Sequence, residues 1–158
     1  MKILIVDDEP AARYGMNKAL KSAGRSILEA DDGGEALAQI RQQCPDLVFL
    51  DLNMPEKDGL FVLKELQQDS SAGLPEIIVV TANDGVDVAV ECIRCGATDF
   101  ITKPYDVEHV RSIATRTEAR VKLQNRVTEL EANDKSARFG ALLGGSTVMQ
   151  QLFRSVEK

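Results

Sequence analysis

The sequence lacks the features of an exported or membrane-spanning protein. Its apolar start, Ile3 to Val6, is too short for the core of a signal peptide, and acidic residues follow at once. No run approaches the roughly 20 apolar residues that a membrane-spanning helix needs. We therefore expect a soluble, cytoplasmic protein without membrane contact.

The sequence also lacks an excess of basic residues, and it has few thiols and imidazoles that could bind a metal. With 19 lysines and arginines against 25 acidic residues, the chain carries a net charge of -6, which argues against nucleic-acid binding by this segment. The only histidine, His109, lies far along the chain from the Cys92-x-x-Cys95 pair. A zinc site of the usual composition is not indicated, and reduced thiols on a helix are expected.

What the sequence does contain is a strict alternation of strand and helix patterns. Apolar runs predict strands at 2–6, 26–30, 46–50, after Pro75, and near 99–102, and helical patterns start near Pro10, Gly34, Asp58, Val86 and Asp106. Right-handed crossovers between parallel strands place helices on both faces of the sheet. We predict an α/β, doubly wound, flavodoxin-like (βα)5 domain with strand order 2-1-3-4-5.

Reactive side chains follow four of the predicted strands, namely Asp7-Asp8, Asp51, Thr81 and Lys103. Each of these side chains alone is weak evidence for a functional site. An Asp pair after a strand is more often a helix cap, and Thr81 could also cap a helix. The carboxyl ends of parallel strands share one edge of the sheet, so these groups should converge. Carboxylates a few ångströms apart repel by on the order of 4 kcal/mol per pair at an effective dielectric near 20, so the cluster needs a cation. The sequence therefore predicts a site for Mg²⁺ and a phosphoryl group.

The same residues occur in the order and spacing of a known family. The matching segments are Ile5-Val6-Asp7-Asp8-Glu9-Pro10, Asp51-Leu52-Asn53-Met54-Pro55 through Asp58-Gly59, Thr81-Ala82, Gly96-Ala97 and Lys103-Pro104-Tyr105. Over about residues 1–117 the chain resembles the receiver domain of two-component response regulators.

The resemblance implies a phosphoacceptor and a set of metal ligands. Asp51 would accept the phosphoryl group, and Asp8 would bind Mg²⁺ directly. Asp7 would contribute mostly through water, and the backbone carbonyl of Asn53 would be a further ligand.

The resemblance also implies that Thr81 and Lys103 contact the phosphoryl oxygens. We hypothesise that Thr81 moves towards the phosphoryl group and vacates space for Phe100, which occupies the position of the family's switch aromatic residue. The alternative for Phe100 is an ordinary core residue.

Other matching positions have structural roles by the same resemblance. The Lys103-Pro104 peptide is expected to be cis, which would aim the lysine inward. Asp58 and Gly59 are interpreted as helix-start residues, and Tyr105 as packing beneath the last helix.

The fifth helix is predicted to continue beyond the receiver, because no glycine or proline interrupts the chain from 106 until Gly140. A largely apolar seam runs through Val107, Val110, Ala114, Thr117 and Val121 and then shifts to Leu123, Val127 and Leu130. We interpret residues 118–137 as a coiled-coil linker that supports dimerisation. The alternative is a solvated helix packed on its own domain.

The last segment, 138–158, contains Leu143-Gly144-Gly145-Ser146-Thr147-Val148-Met149 and looks like the opening of the ATPase domain of sigma-54-dependent activators. No G-x-x-x-x-G-K-[ST] phosphate loop is present, so we do not expect ATP hydrolysis by this chain. The chain is expected to be the receiver and linker of a longer transcription activator, cut just inside its ATPase domain.

The leading hypothesis is a phosphorylation-controlled module rather than an enzyme. A sensor histidine kinase would phosphorylate Asp51, and packing of the fourth helix, fifth strand and fifth helix would change in a homodimer. Sigma-54 polymerase and DNA would be contacted only through domains absent from this chain. Alternatives are a Mg²⁺-dependent aspartyl phosphatase, for which a second acid after Asp51 is lacking, and an interaction module that is never phosphorylated.

Overall fold

Five parallel strands alternate with five helices in the part of the chain that the computed structural model describes, residues 1–69 and 73–144, with side chains as far as residue 134. The strands are β1 (Lys2–Val6), β2 (Ser26–Ala30), β3 (Leu47–Asp51), β4 (Glu76–Thr81) and β5 (Asp99–Thr102). The helices are α1 (Pro10–Leu20), α2 (Gly33–Gln43), α3 (Gly59–Gln68), α4 (Val86–Arg94) and α5 (Val107–Gly144). The strand order is β2-β1-β3-β4-β5, which confirms the predicted flavodoxin-like topology.

The sheet divides the core into two layers. On one face, α1 and the first part of α5 cover Ile3, Ile5, Phe49, Ile78 and Val80. On the other face, α2, α3 and α4 cover Leu4, Val6, Val48, Leu50 and Val79. The middle strand β3 is buried along its whole length, as its continuous apolar run predicts for a strand covered on both faces. This double cover fixes the register of the strands and hence the position of every residue at their carboxyl ends.

Local sequence signals set the helix ends. Pro10 is the first residue of α1, where its missing N–H costs nothing. The carboxylates of Asp32 and Asp58 accept hydrogen bonds from the backbone N–H groups of Glu35 and Phe61, and so cap α2 and α3. Gly96, at φ 105°, follows α4 in a left-handed conformation that glycine adopts without strain.

The apolar residues of α4 do not lie where a core-facing stripe would lie. Val86, Val90 and Ile93 follow helical spacing, yet they are exposed at 76%, 42% and 48%. The core contacts of α4 come instead from buried Cys92 and partly buried Val88. Periodicity identified the helix, but its most regular apolar stripe faces solvent and is available to a partner.

Helix α5 begins in the first of two units, Met1–Glu118, and continues into the second, which starts at Ala119. Within the first unit, Val110, Ala114 and Thr117 of the predicted seam are buried on the sheet, whereas Val107 is 41% exposed. In the second unit, the apolar side chains Leu123, Val127 and Leu130 are exposed at 62%, 46% and 60%. The predicted ATPase segment falls outside the described residues from 145 onward.

None of the described helices combines the length and hydropathy that a bilayer-spanning helix requires.

Polar contacts secure α5 near the amino-terminal edge of the sheet. The Thr117 hydroxyl donates to the buried Glu76 carboxylate at 2.8 Å. The Arg25 guanidinium is only 8% exposed and donates to Glu118 at 2.9 Å and to the carbonyl of Leu20 at 3.1 Å. These bonds join α5 to β4 and to the end of α1 through residues far apart in sequence.

We expect Arg25→Ala to lower the free energy of unfolding by about 2–4 kcal/mol, because it removes a buried charged partner from Glu118 and a donor from the end of α1. The measurement is urea unfolding followed by circular dichroism. The matched control is Arg41→Ala, whose ion pair with Asp69 is long, 3.6 Å, and largely exposed. It should change stability by no more than about 0.5 kcal/mol. Equal effects of the two substitutions would contradict this role of Arg25.

Candidate functional site

Three carboxylates meet at the carboxyl edge of the sheet, as the strand ends predict. Asp7 and Asp8 follow β1, and Asp51 ends the neighbouring strand β3. Each offers an oxygen within 4.8 Å of the other two. Asp7 and Asp51 are buried, at 6% and 5% exposure, whereas Asp8 is exposed. Two carboxylates of the cluster are therefore buried in the protein, and the third is open to solvent.

Asp7 is held at both its side chain and its backbone. One carboxylate oxygen accepts from the backbone N–H of Glu9 at 2.9 Å, and the other accepts from the Lys103 ammonium at 2.9 Å. The Asp7 N–H donates to the carbonyl of Ala30 in β2 at 3.1 Å. Its own carbonyl accepts from the Arg13 guanidinium at 2.7 Å. Asp7 is therefore a fixed part of the site.

The position of Asp51 is set mainly by the groups packed around it. Its Oδ1 accepts from the backbone N–H of Asn53 at 3.2 Å, and its Oδ2 lies 3.6 Å from Lys103 Nζ. Helix α3 starts directly against it, since a Cβ added at Gly59 would lie 2.5 Å from the Asp51 carbonyl oxygen. Glycine is thus needed at this position for close approach, and the preceding Asp58 caps the helix.

The electrostatics of the site follow from this crowding. Burial raises the pKa of Asp51, and the nearby charges of Asp7 and Asp8 add to the increase, while the Asn53 N–H and Lys103 oppose it. Burial tends to lower the pKa of Lys103, but its hydrogen bond to Asp7 and the charges of Asp51 and Asp7 raise it overall. Lys103 therefore remains charged and offsets part of the repulsion among the acids.

The switch candidates lie on the neighbouring strands. Thr81 is fully buried at the end of β4, and its Oγ1 accepts from the Asn83 N–H at 3.2 Å. Its carbonyl accepts from the backbone N–H of Lys103 at 2.7 Å, and the Lys103-Pro104 peptide is cis. Phe100 is partly buried and packs against the core layer beneath α4. Because Phe100 pairs with Val79 and side chains alternate along a strand, Phe100 and Thr81 lie on the same face of the sheet.

The donor set fits a hard divalent cation. All three clustered groups are carboxylates, and oxygen ligands are those that Mg²⁺ prefers. Within the side chains described, 1–69 and 73–134, no hydrogen bond engages the Asp8 carboxylate, so it is free to bind a cation. Asp7, Asp8 and Asp51 are the side chains whose oxygens could hold Mg²⁺.

The structure adds Arg13, which the sequence did not single out. It lies at the first turn of α1, where the helix dipole disfavours a cation unless a specific partner compensates. An arginine in the first turn of a helix therefore indicates a specific contact, although the sequence alone does not identify the partner.

A parallel sheet of order 2-1-3-4-5, with clustered acids, a threonine and a lysine at its carboxyl edge, defines the receiver class of signalling domains. The model of the response regulator receiver domain family matches residues 3–115. The chain belongs to this family, whose members act in two-component, phosphorylation-dependent signalling.

Relatives of known structure and sequence support the assignment. The chain is 30% identical over 154 residues to the transcriptional regulator NtrC of Salmonella typhimurium, covering 98% of this chain and 32% of the relative. It thus spans about a third of such relatives. The receiver domain of a Luxo repressor protein from Vibrio parahaemolyticus superposes with a TM-score of 0.72 at 28% identity, covering 80% of this chain and 95% of that one. NtrX from Brucella abortus superposes with a TM-score of 0.68 at 32% identity, over 99% of this chain and 33% of that one.

We expect Asp51→Asn to raise the free energy of unfolding near neutral pH, with EDTA present, by on the order of 1 kcal/mol, because it removes a charge that burial and two acids disfavour. The folded-state pKa of Asp51 is raised, so the wild type loses stability as the pH rises through that pKa. The gain should shrink as the pH falls towards the unfolded value of about 3.9.

Urea unfolding at about pH 7 and about pH 4 measures this difference. Asp84→Asn, at an exposed loop position, is the control and should change stability little at either pH. A variant less stable than the wild type at the higher pH, or a gain that does not depend on pH, would contradict the account.

Proposed function

We propose that this chain is a phosphorylation-controlled regulatory module in which a sensor histidine kinase phosphorylates Asp51. The observation that carries the proposal is the shared ion pair of Lys103, at 2.9 Å from Asp7 and 3.6 Å from Asp51, beside a third, exposed carboxylate. A single buried carboxylate would not need a lysine that it shares with a second acid. Acids that share one fixed cation and keep an open side suit repeated gain and loss of a charged group.

Asp51 is the nucleophile in the proposed reaction. One of its carboxylate oxygens attacks the phosphorus, an O–P bond forms, and the P–N bond to the kinase histidine breaks with its electron pair leaving on nitrogen. Lys103 shifts its pairing from the carboxylate to a phosphoryl oxygen. Asp8, Asp51, the Asn53 carbonyl and, through water, Asp7 would hold Mg²⁺, which would supply positive charge to offset the negative charge of the phosphoryl oxygens.

The Thr81 hydroxyl is the proposed sensor of the new charge. It lies buried at the end of β4, and a phosphoryl oxygen on Asp51 would offer it a charged acceptor. Movement of Thr81 towards that acceptor opens space on the face that it shares with Phe100. Phe100 lacks a hydroxyl, so packing beneath α4 reports the change.

The proposed output is a change in a homodimer formed through α4, β5, α5 and the linker helix. The exposed stripe Val86, Val90 and Ile93 supplies an apolar surface on α4. In the second unit, Leu123, Val127 and Leu130 repeat at the 4,3 spacing of a coiled-coil seam. These two surfaces support dimerisation. In the proposed organisation, residues 1–117 form the receiver, 118–137 the linker and 138–158 the start of an ATPase domain.

In the whole protein, the dimer would control assembly of ATPase domains that act on sigma-54 polymerase. The likeness to NtrC and NtrX over almost the whole chain supports this output. To convert 99% of the inactive arrangement into 99% of the active one, phosphorylation must favour the latter by about 5.5 kcal/mol.

Intact-protein mass after incubation with acetyl phosphate tests the chemistry. We expect one added phosphoryl group that requires Mg²⁺ and is absent in Asp51→Asn, whereas Asp84→Asn should be modified like the wild type. No addition to the wild type would favour an unphosphorylated interaction module. Repeated turnover of an external phosphoester would favour a phosphatase. Its sign would be a rate of phosphate release far above the rate at which the phosphorylated protein consumes acetyl phosphate.

For the dimer, we expect Ile93→Glu to weaken self-association at least about tenfold with acetyl phosphate present, because it places a charge in the proposed apolar contact. Leu74→Glu is the matched control, since Leu74 is 47% exposed, close to the 48% of Ile93. Analytical ultracentrifugation provides both dissociation constants. Equal effects of the two substitutions would exclude α4 from the interface.

The same measurement tests the switch. Self-association of Thr81→Ala should no longer respond to the phosphoryl donor, although Asp51 remains available for modification. If the variant responds as the wild type does, the coupling through Thr81 is wrong.

A further inference from the structure

We propose that Arg13 is a positioning residue for Mg²⁺ binding, acting through the backbone of the β1–α1 loop rather than by contact with the ion. This inference rests on the proposed function, because it concerns the metal that phosphorylation of Asp51 requires. It assigns to an arginine outside the acidic cluster the task of orienting Asp8.

The contact that carries the inference is made to a peptide group. Arg13 Nη1 donates to the carbonyl oxygen of Asp7 at 2.7 Å. That carbonyl and the amide N–H of Asp8 belong to one planar peptide unit. A fixed direction of the Asp7 carbonyl therefore fixes the plane of this peptide unit. The Asp8 backbone starts from that plane, which thereby sets the direction of the Asp8 carboxylate.

Asp8 needs this support more than its neighbours do. The Asp7 carboxylate is bonded to Glu9 N–H and to Lys103, and Asp51 is buried against the start of α3. Asp8 is exposed, and its side chain has no hydrogen bond among the residues with described side chains. Its direction is thus set chiefly by the loop backbone, which is where Arg13 binds.

Arg13 is itself held in place. Its Nε lies 3.7 Å from Glu29 Oε2, and Asn17 Nδ2 donates to Glu29 Oε1 at 2.9 Å. The arginine side chain is only 16% exposed. The guanidinium is therefore held mainly by its burial and by its short hydrogen bond to the Asp7 carbonyl, and the longer contact with Glu29 adds a weaker link to β2.

Arginine is better suited than lysine to this double contact. Its planar fork presents Nη1 and Nε in fixed relative directions, so one side chain can serve the carbonyl and the glutamate together. A lysine keeps the positive charge but presents it as a single point, and it cannot reproduce both contacts at once. Arg13→Lys therefore separates the positioning role from the charge.

The test is Mg²⁺ affinity without any phosphoryl donor, read from the amide resonances of Asp8 and Asn53 in ¹⁵N spectra during titration with MgCl₂. We expect the dissociation constant for Mg²⁺ to rise about tenfold in Arg13→Lys, within the 10–100-fold range seen when supporting contacts of a metal site are lost. We expect weaker binding in Arg13→Gln as well. If Arg13 acted only through its charge, Arg13→Lys would bind as the wild type does, and Arg13→Gln would bind more tightly.

Arg111→Lys is the matched control. Arg111 also contacts a backbone carbonyl of α1 and a glutamate, at 3.0 Å from Ala19 O and 2.7 Å from Glu108, but at the other end of the helix. It should leave the Mg²⁺ affinity within twofold of the wild type. Urea unfolding in EDTA shows whether each variant is folded.

Two outcomes separate this inference from the proposed function. Wild-type binding that is lost in Asp8→Asn but unchanged in both Arg13 variants would overturn the inference and leave the proposed site intact. Wild-type binding absent, or unaffected by Asp8→Asn, would overturn the proposed metal site and the inference with it.

Discussion

Repulsion among three carboxylates at one sheet edge, offset in part by the Lys103 ammonium group, is the interaction on which the rest of the site depends. Asp7, Asp8 and Asp51 approach within 4.8 Å, and Lys103 pairs with two of them. At such distances the repulsion is worth several kcal/mol per pair at an effective dielectric near 20. The site is therefore poised for added positive charge, and a phosphoryl group on Asp51 changes the balance that holds Lys103.

The fold supplies the rigidity that this crowding needs. Strands β1 and β3 are adjacent and buried, so Asp7 and Asp51 cannot separate without disturbing the core. Lys103 reaches them from the end of β5, while Thr81 ends the intervening strand β4. A charge change on Asp51 therefore affects groups on two further strands, one of which carries Phe100 beneath α4. Local chemistry and the proposed output are connected through the sheet itself.

The sequence predicted the features that depend on local pattern. Apolar runs and the helix signals at Pro10 and Asp58 placed the strands and helices to within a few residues, and parallel topology then brought Asp51 near Asp7. The solvent-facing stripe of α4 was not predictable, because periodicity defines a face without saying what covers it. The contacts of Arg13, Arg25 and Glu76 were also missed, since each pairs with a group that only the folded chain brings near. The sequence showed the acids and Lys103, but not the contact of Arg13 with the Asp7 backbone.

The most direct test of the account is the pH titration of the Asp51 carboxyl carbon by ¹³C NMR, with and without Mg²⁺. The account predicts an Asp51 pKa above the ordinary aspartate value without Mg²⁺, because burial and the neighbouring acids disfavour its charge. It also predicts a marked decrease when Mg²⁺ is added, since a bound cation reverses that balance. An ordinary pKa that does not respond to Mg²⁺ would contradict the claim that crowded charge governs this site.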